Sequence, residues 1–527
     1  MPGARSIDGG RRVASPPRLA LAGAAAGWSL LAAAGVTATA ALALGLTVRS
    51  LGWALVHDAP VMHYVARRIL EGAAPYRDLF DMNFPGVYLV HVLALVLVGP
   101  GDAGFRAFDL LVLAGTIAGL AVALAPSGRW AALSAGALFW LYHVAGGAWR
   151  AGQRDFILCL PLAWMTAAVL ADLRAPRAGR LALAGASLGV AAWIKPHAVL
   201  LLPVLAVLPW QRPSVARVRA LAALALGLGI PAAAVVAWLA AAGSLTAFAN
   251  LVGGYLVPLY SRLGRASLVD AVRGHDLGPV VLGGLGLWAL SGLVALGRGG
   301  LRDGRVAVLA AGTASGVLHF VLQGKGWEYH LYPVALFAIA LGAVGLAVAL
   351  EGHRRVLAGV LLAALVVSAA ALAVKGIRNL EPAWVAAKAA RAHAVAAVLA
   401  PVVARGGTVQ VFDTTDGGIH ALYLVGARQP TRFLYDFHFY HDVGHPYVRR
   451  LRAELLAGLR ARPPAAVVLF ERGWPSGDYG RLRAFPELAA WLEAGYRLAR
   501  DGDGFRVFVR WEASAASEGR DAPRGDR

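Results

Sequence analysis

Cysteine is almost absent. The single Cys159 excludes a disulfide framework and a thiolate metal cluster. Charge is scarce too: only 15% of the 527 residues are Asp, Glu, Lys or Arg, against about 25% in an ordinary soluble chain. Apolar residues fill the gap, at 58%, which excludes a disordered chain and argues against a soluble one. Acidic residues are the scarcer kind, 30 against 50 basic, for a net charge of +20. Such an excess can mark a nucleic-acid binder. Here the arginines lie in short stretches between apolar runs and in the two tails, where the orientation of membrane spans explains them without a polyanion partner. No internal repeat is visible.

Long uncharged runs make up the bulk of the chain. Residues 30–48, 221–242 and 356–374 each have the roughly 20 apolar residues needed to cross a hydrocarbon core of about 30 Å. Arg5, Arg11, Arg12 and Arg18 precede a first run too long for a signal-peptide core, so 19–48 reads as an uncleaved first span after a basic tail, 1–18. Further apolar segments lie at 85–98, 105–125, 130–145, 156–171, 181–194, 198–208, 279–296, 306–322 and 331–350, with a polar loop from 243 to 278. About 11 crossings are expected. Placing the basic loops (174–180, 212–219, 298–305, 354–355) in the cytoplasm puts the N-terminus there as well. The loop 49–85, Arg154-Asp155, Lys195–His197, Lys325–His330 and everything after Lys375 then fall outside. Three apolar segments separate two stretches assigned to that outer side, where an even number is needed. One of them, with the short 85–98 as first candidate, must be re-entrant or interfacial unless the alternation breaks there.

From about Asn379 the runs shorten and the pattern becomes α/β: helices over 383–404, 418–425, 447–461 and 485–494, and strands over 408–412, 465–470 and 505–510. The expected organisation is a membrane domain over 19–375, a soluble α/β domain over 376–512 on the outer face, and a disordered tail, 513–527.

The stretch 57–88, HDAPVMHYVARRILEGAAPYRDLFDMNFPGVY, is too long and too apolar for a simple connector. Tyr64, Val65, Ile69, Leu70, Tyr76, Leu79 and Phe80 recur at near-helical spacing, which predicts a folded loop packed against another part of the chain. Ionisable residues at span ends are functional candidates by default; the bland alternative is snorkelling cations and an interfacial aromatic belt. They fall in four clusters: His57-Asp58; Glu71, Arg77, Asp78 and Asp81; Arg154-Asp155; and Lys195 with Lys325, Glu328, Tyr329 and His330. Acids and cations from distant loops sharing one membrane face suit group transfer from a phosphate. Asp58 is the candidate base for an attacking hydroxyl or amine. Asp155 is a second acid that orients the acceptor or helps hold a metal. Lys195, Lys325, His330 and Arg154 would hold the phosphate leaving group.

These residues resemble a known family. An acid just after the first span (Asp58), Gly72, Pro75-Tyr76-Arg77-Asp78 and a proline opening the next segment (Pro85) are similar to the GT-C membrane glycosyltransferases. The nearest branch is the family 39-like one, with the protein O-mannosyltransferases and the lipid A aminoarabinose transferase. Gln153-Arg154-Asp155 resembles its second acidic site. Lys325-Gly326-Trp327-Glu328-Tyr329-His330, followed by Pro333, resembles its lysine/aromatic segment. The resemblance covers about 1–375. It implies a sugar donor carried on polyprenyl phosphate, hexosyl or pentosyl transfer to an envelope glycan, lipid or protein acceptor on the non-cytoplasmic face of the inner or plasma membrane, and inversion at the sugar carbon. His57, Glu71, Tyr76, Arg77, Asp78 and Asp81 would form the first-loop substrate site, and Trp327, Glu328 and Tyr329 the aromatic segment. Many relatives carry a neighbouring second acid where this chain has His57-Asp58-Ala59, which weakens a metal site there. No cofactor is assigned, and a divalent metal stays an open alternative.

The C-terminal cluster Asp413, Asp416, His420, Asp436, His438, His441, Asp442 and His445 includes a His441/His445 pair whose metal-binding spacing needs a helix. Gly444 and Pro446 argue against one, and a loop that caps the active site or binds acceptor is the preferred reading. Asp416-Gly417-Gly418 reads as a helix-capping turn. A transporter or flippase of a lipid-linked glycan precursor is the alternative for the whole chain. It would need polar, broken helices near the midplane, whereas the span interiors here are Ala, Leu, Val and Gly.

Overall fold

A computed structural model describes residues 18–273, 278–297 and 300–511. The 513–527 tail and all but the last residue of the 1–18 tail lie outside these. Among the described residues, seven helices are long and apolar enough to cross a membrane, within 27–52, 102–127, 154–174, 214–241, 304–323, 328–351 and 355–404. Five shorter apolar helices stand among them: Pro85–Val98, Ala178–Ile194, Pro196–Gln211, Leu245–Tyr260 and Val281–Leu296. The chain is a multi-pass membrane protein. Pro85–Val98, the segment singled out by the parity argument, has 14 residues, a rise of about 21 Å, short of a hydrocarbon core of about 30 Å.

Helix Tyr332–Glu351 is apolar all round and buried along nearly its whole length, as expected of a helix enclosed by others. Neighbours approach it through glycine: a Cβ on Gly292 would meet the Gly342 Cα at 2.8 Å. Helices Ala178–Ile194 and Ser214–Ala241 meet in the same way. A Cβ on Gly185 would lie 2.7 Å from the Leu224 carbonyl oxygen and one on Gly189 3.2 Å from that of Leu228. Without a hydrophobic drive between helices in lipid, such close backbone approach is what holds them together.

Two expectations differ from the structure. The polar loop over 243–278 is largely helical: Leu245–Leu251 runs into a π-helix, Val252–Tyr260, and Leu268–Arg273 follows. Its buried residues Phe248, Leu251, Tyr255 and Leu259 recur every three or four positions, a stripe masked by intervening glycines and polar residues. The segment expected as one helix over 198–208 is broken into 3-10, α and 3-10 pieces, because Pro196, Pro203 and Pro209 each remove a backbone donor.

The C-terminal elements form as expected, apart from an added strand. Strands β1 (Val409–Phe412), β2 (Ala466–Phe470), β3 (Tyr496–Gly502) and β4 (Phe505–Arg510) make one sheet in the order β1-β2-β4-β3. β1 and β2 are parallel and the other pairs antiparallel, with a bulge in β3 at Leu498/Arg500. β3 escapes the sequence reading because it is an edge strand, exposed along most of its length and rich in arginine. The Asp413 carboxylate accepts from the backbone N–H groups of Asp416, Gly417 and Gly418, capping helix Gly418–Val425 in place of the absent side chain of Gly417.

The stretch after the first span is folded, and it packs on this C-terminal part. Helix Ala59–Leu70 buries Val61, Met62, Tyr64 and Val65 in one core with β1, β2 and Phe433. Tyr64 donates to the Ala427 carbonyl at 3.2 Å, and Phe80 bridges to Phe433. Arg432 donates to the Tyr76 carbonyl at 2.7 Å and pairs with Glu454 while lying over the Phe80 ring. Arg432→Ala therefore loosens the loop on the C-terminal part, at a cost of about 1–3 kcal/mol. A lower melting temperature of the purified protein in nanodiscs, with faster tryptic cleavage within 71–84, is the expected result.

Candidate active site

The site is built around the turn Trp149–Asp155, WRAGQRD. Gly152 has φ +63 and lies so close to the Phe105 ring that a Cβ would overlap it; only glycine fits. Its N–H donates at 2.7 Å to Asp109, whose other oxygen takes His143 at 2.9 Å and Arg106. This buried trio pins the turn to helix Asp102–Leu124. Arg150 turns the other way, onto Glu328 at 3.0 Å, and Lys375 joins the same carboxylate.

From that turn three side chains reach the site. Gln153 donates to Asp58 Oδ2 at 3.2 Å, and Arg154 approaches the same oxygen at 3.5 Å. Arg154 also lies 3.4 Å from the Tyr329 hydroxyl. Asp155, in the first turn of helix Arg154–Arg174, is fully buried. Lys195 donates to one of its oxygens at 2.6 Å; on the other are His319 at 2.6 Å and Gln323 at 3.4 Å. Asp58 stands at the N-cap of helix Ala59–Leu70, where its backbone carbonyl accepts from the Val61 and Met62 N–H groups but its side chain makes no cap bond, so its carboxylate is free for Gln153 and Arg154. Burial raises the Asp58 carboxyl, but His57, Arg154 and Gln153 together outweigh it and hold it below the ordinary carboxylate range. His57 adopts φ +65, rare for a residue with a side chain; its Nε2 is 3.9 Å from Asp58 and its Nδ1 3.0 Å from Lys388 Nζ. Burial lowers its pKa to about 4, and it stays neutral.

A cavity of about 510 Å³ opens beside these groups. Its cations are Arg154, Lys195 and Lys325, and its apolar wall includes Ile194, Val252, Leu256, Val257 and Leu322. His330 also lines it, with a buried Nδ1 that has no hydrogen-bond partner. Lys325 donates to the carbonyls of Tyr260 and Leu263 and lies over the Tyr260 and Trp474 rings. It enters none of the ion pairs among the described residues, and burial lowers its pKa to about 8.

Compared with solved structures, the chain aligns along almost its whole length with membrane transferases. ArnT from Cupriavidus metallidurans bound to undecaprenyl phosphate matches with a TM-score of 0.55 at 15% identity, over 92% of this chain and 99% of that one. The apo form of that protein gives the same score over 98% of its chain. The arabinofuranosyltransferase AftD from Mycobacteria matches with a TM-score of 0.52 at 16% identity, over 90% of this chain and 41% of that one. The fold is GT-C-like. No protein-family model and no curated protein matches the sequence.

Within this GT-C-like frame, Asp58, Arg154, Asp155, Lys195, Tyr329 and His330 come together, and Trp327 and Lys325 line the same cavity. Other expected first-loop residues serve elsewhere. Glu71 pairs with Arg67, Arg68 and Arg428, and Arg77 with Asp78, on the exposed side of the loop. Tyr76 and Asp81 are buried supports: Tyr76 donates to the Asn83 carbonyl at 2.8 Å, and Asp81 accepts from Asn83 and Tyr88. Asn83 itself lines the cavity. Glu328 faces Arg150 and Lys375.

The donor set does not suit a divalent metal. Both oxygens of Asp155 are taken by Lys195, His319 and Gln323, Arg154 and Gln153 share an oxygen of Asp58, and no three His, Cys, Asp or Glu converge among the described residues. At the other candidate pair, His445 accepts from the Tyr447 N–H as a helix cap and His441 meets the Tyr255 hydroxyl at 2.7 Å. Sequence reasoning gave Gln153 only as part of the Gln153-Arg154-Asp155 turn, without a role of its own, and missed His319, Gln323 and Asp109. His319 and Asp109, ionisable side chains within apolar runs, carried a readable signal.

Burial separates the two acids. Asp155 is 0% exposed and Asp58 17%. Asp155→Asn leaves Lys195 uncompensated and is expected to cost about 3–5 kcal/mol, whereas Asp58→Asn, at a site that keeps some access to solvent, should cost distinctly less. Thermal denaturation of both variants in nanodiscs reads the difference.

Proposed function

We propose that the protein is an integral-membrane glycosyltransferase that moves a hexose or pentose from a polyprenyl-phosphate donor to an envelope acceptor. One observation carries the reading. A single cavity joins an aliphatic wall to three cations and abuts, through Arg154, the carboxylate of Asp58. An anion with a long apolar tail is the ligand this chemistry fits. ArnT, of like fold, binds undecaprenyl phosphate, which supports the same class of donor here.

In this reading Asp58 is the general base. The acceptor hydroxyl gives its proton to Asp58, and its oxygen bonds to the anomeric carbon from the side opposite the phosphate. The carbon–oxygen bond to phosphate breaks, its electron pair leaves with the polyprenyl phosphate, and the sugar carbon inverts. Lys195, Lys325, Arg154 and His330 stabilise the departing phosphate. Asp155 holds Lys195 in position.

Bundle polarity supports transfer on the non-cytoplasmic face. Helices Arg154–Arg174, Gly304–Gln323 and Tyr332–Glu351 each have one end at the site, and their opposite ends lie by Arg174, Arg305 and Arg354. The positive-inside rule puts that basic end, and the N-terminus, in the cytoplasm, with the site and the 376–512 domain outside.

Asp58→Asn is expected to abolish transfer while leaving the protein inserted and abundant. Comparing envelope glycans and lipids by mass spectrometry in a deletion strain carrying either the wild type or this variant tests it; near-normal products from the variant would refute the base assignment. A pH series adds a second check. Lys325 is cationic below its pKa of about 8, so undecaprenyl phosphate affinity should fall as pH rises from 7 to 9. The depressed Asp58 carboxyl keeps the base ionised down through the ordinary carboxylate range, so the acid limb of transfer should lie below pH about 4. The same Lys325 shift has the opposite sign for stability. The unfolded chain binds the extra proton between about 8 and 10.5, so stability rises with pH across that window.

A further inference from the structure

A second cavity, of about 400 Å³, adjoins the site on the side of the C-terminal domain. His57, Lys388, Thr414, Thr415 and Asp416 line it, together with the 472–477 loop, which carries Arg472 and Trp474. Two residues connect it to the chemistry already described. His57 lines it and keeps its Nε2 3.9 Å from the Asp58 carboxylate. Trp474 stands between the two cavities: it lines this one, while its ring lies 5.5 Å from Lys325 Nζ and 5.9 Å from the ring of Trp327. The volume is in the range of small-ligand sites.

We propose that this cavity receives a sugar unit of a glycan acceptor and presents its hydroxyl to Asp58 past His57. The inference rests on the transferase reading and adds to it the class of acceptor.

The lining argues for a carbohydrate. It contains no Leu, Ile, Val, Met or Phe, in contrast to the first cavity, so it offers no wall for an acyl chain. It offers instead what a polyhydroxylated ring uses: donors (Lys388, Arg472), an acceptor (Asp416), hydroxyl residues (Thr414, Thr415), and an indole, Trp474, as apolar surface for the C–H side of the ring. The polar groups are held in place. Lys388 Nζ bonds to His57 Nδ1 at 3.0 Å and to the Thr415 carbonyl at 3.2 Å, and Arg391 clamps Asp416 at 2.8 Å. The φ of +65 at His57 is backbone strain at a residue that lies against both Asp58 and the cavity, and such strain concentrates at functional positions. Transfer balances without another reactant: the acceptor proton goes to Asp58, the new C–O bond forms as the bond to phosphate breaks, and the electron pair leaves with the lipid phosphate.

The test uses the full-length protein in nanodiscs, with two probes measured separately: neutral tetrasaccharides of mannose, glucose, galactose or arabinose, by saturation-transfer NMR and titration, and undecaprenyl phosphate, by titration. Ser476→Trp, at the exposed rim, fills the cavity, and Arg472→Ala removes an exposed donor; neither touches the first cavity. The expected result is that at least one tetrasaccharide binds the wild type, that its affinity falls about tenfold or more in Ser476→Trp and several-fold in Arg472→Ala, and that undecaprenyl phosphate binds all three proteins alike. Absence of tetrasaccharide binding, or equal binding to wild type and both variants, overturns the acceptor site. Tetrasaccharide binding of the expected pattern without binding of undecaprenyl phosphate upholds the sugar site and overturns the donor reading instead.

Discussion

A carboxylate cannot stay ionised inside an apolar bundle unless cations or donors meet it, and the architecture depends on how Asp155 is met. Lys195 comes from the end of one helix, and His319 and Gln323 from the last turns of another. Each ion taken from water costs several kcal/mol before its partner offsets it. The three helices therefore cannot shift independently without exposing an unpaired charge. The same logic holds one turn away, where Asp109 gathers Arg106, His143 and the Gly152 N–H, and again where Glu328 gathers Arg150 and Lys375. Three buried anions thus fix the single turn 149–155 from three directions, and that turn is what aims Gln153 and Arg154 at Asp58.

Element positions were largely legible because their signals are local. An uncharged run of about 20 residues, or strand-like Val409–Phe412 between turn residues, identifies itself. The failures were local too. Strand β3 is arginine-rich and exposed, and the buried stripe Phe248, Leu251, Tyr255, Leu259 is diluted by Gly253, Gly254 and Asn250. The site was legible only in its charged members at span ends. Asp58, Arg154, Asp155, Lys195 and Lys325 are conspicuous against an apolar background. Which of them meet is a property of helix packing: Lys195 and His319 are 124 positions apart and share one carboxylate. The loop charges Glu71, Arg77 and Asp78 are equally conspicuous, and they lie on the exposed side of the loop, Glu71 paired with Arg67, Arg68 and Arg428 and Arg77 with Asp78.

The scarcity of acid in this chain acquires a meaning in the folded protein. The first cavity is lined by three cations and no carboxylate, and the acids nearest it, Asp58 and Asp155, lie behind Arg154 and Lys195. A ligand entering it therefore meets positive charge first, against a low-dielectric wall that strengthens the attraction. The second cavity has a polar lining of both signs, Lys388 and Arg472 beside Asp416. One space suits an anion with an apolar tail and the other a neutral polar ring, and Trp474 lines the second while contacting Lys325 and Trp327 of the first.

Burial and hydrogen bonding then decide which acid can act. A base needs a lone pair that an incoming hydroxyl can reach. Asp155 is fully enclosed, and its two oxygens already accept from Lys195, His319 and Gln323. An acceptor could reach it only by displacing a lysine, leaving a buried charge behind. Asp58 keeps 17% of its side chain exposed; one oxygen faces Gln153 and Arg154, and the other has, among the described residues, a neutral imidazole 3.9 Å away. The more buried carboxylate is fitted to hold the cations that a phosphate needs, and the less buried one to take the proton.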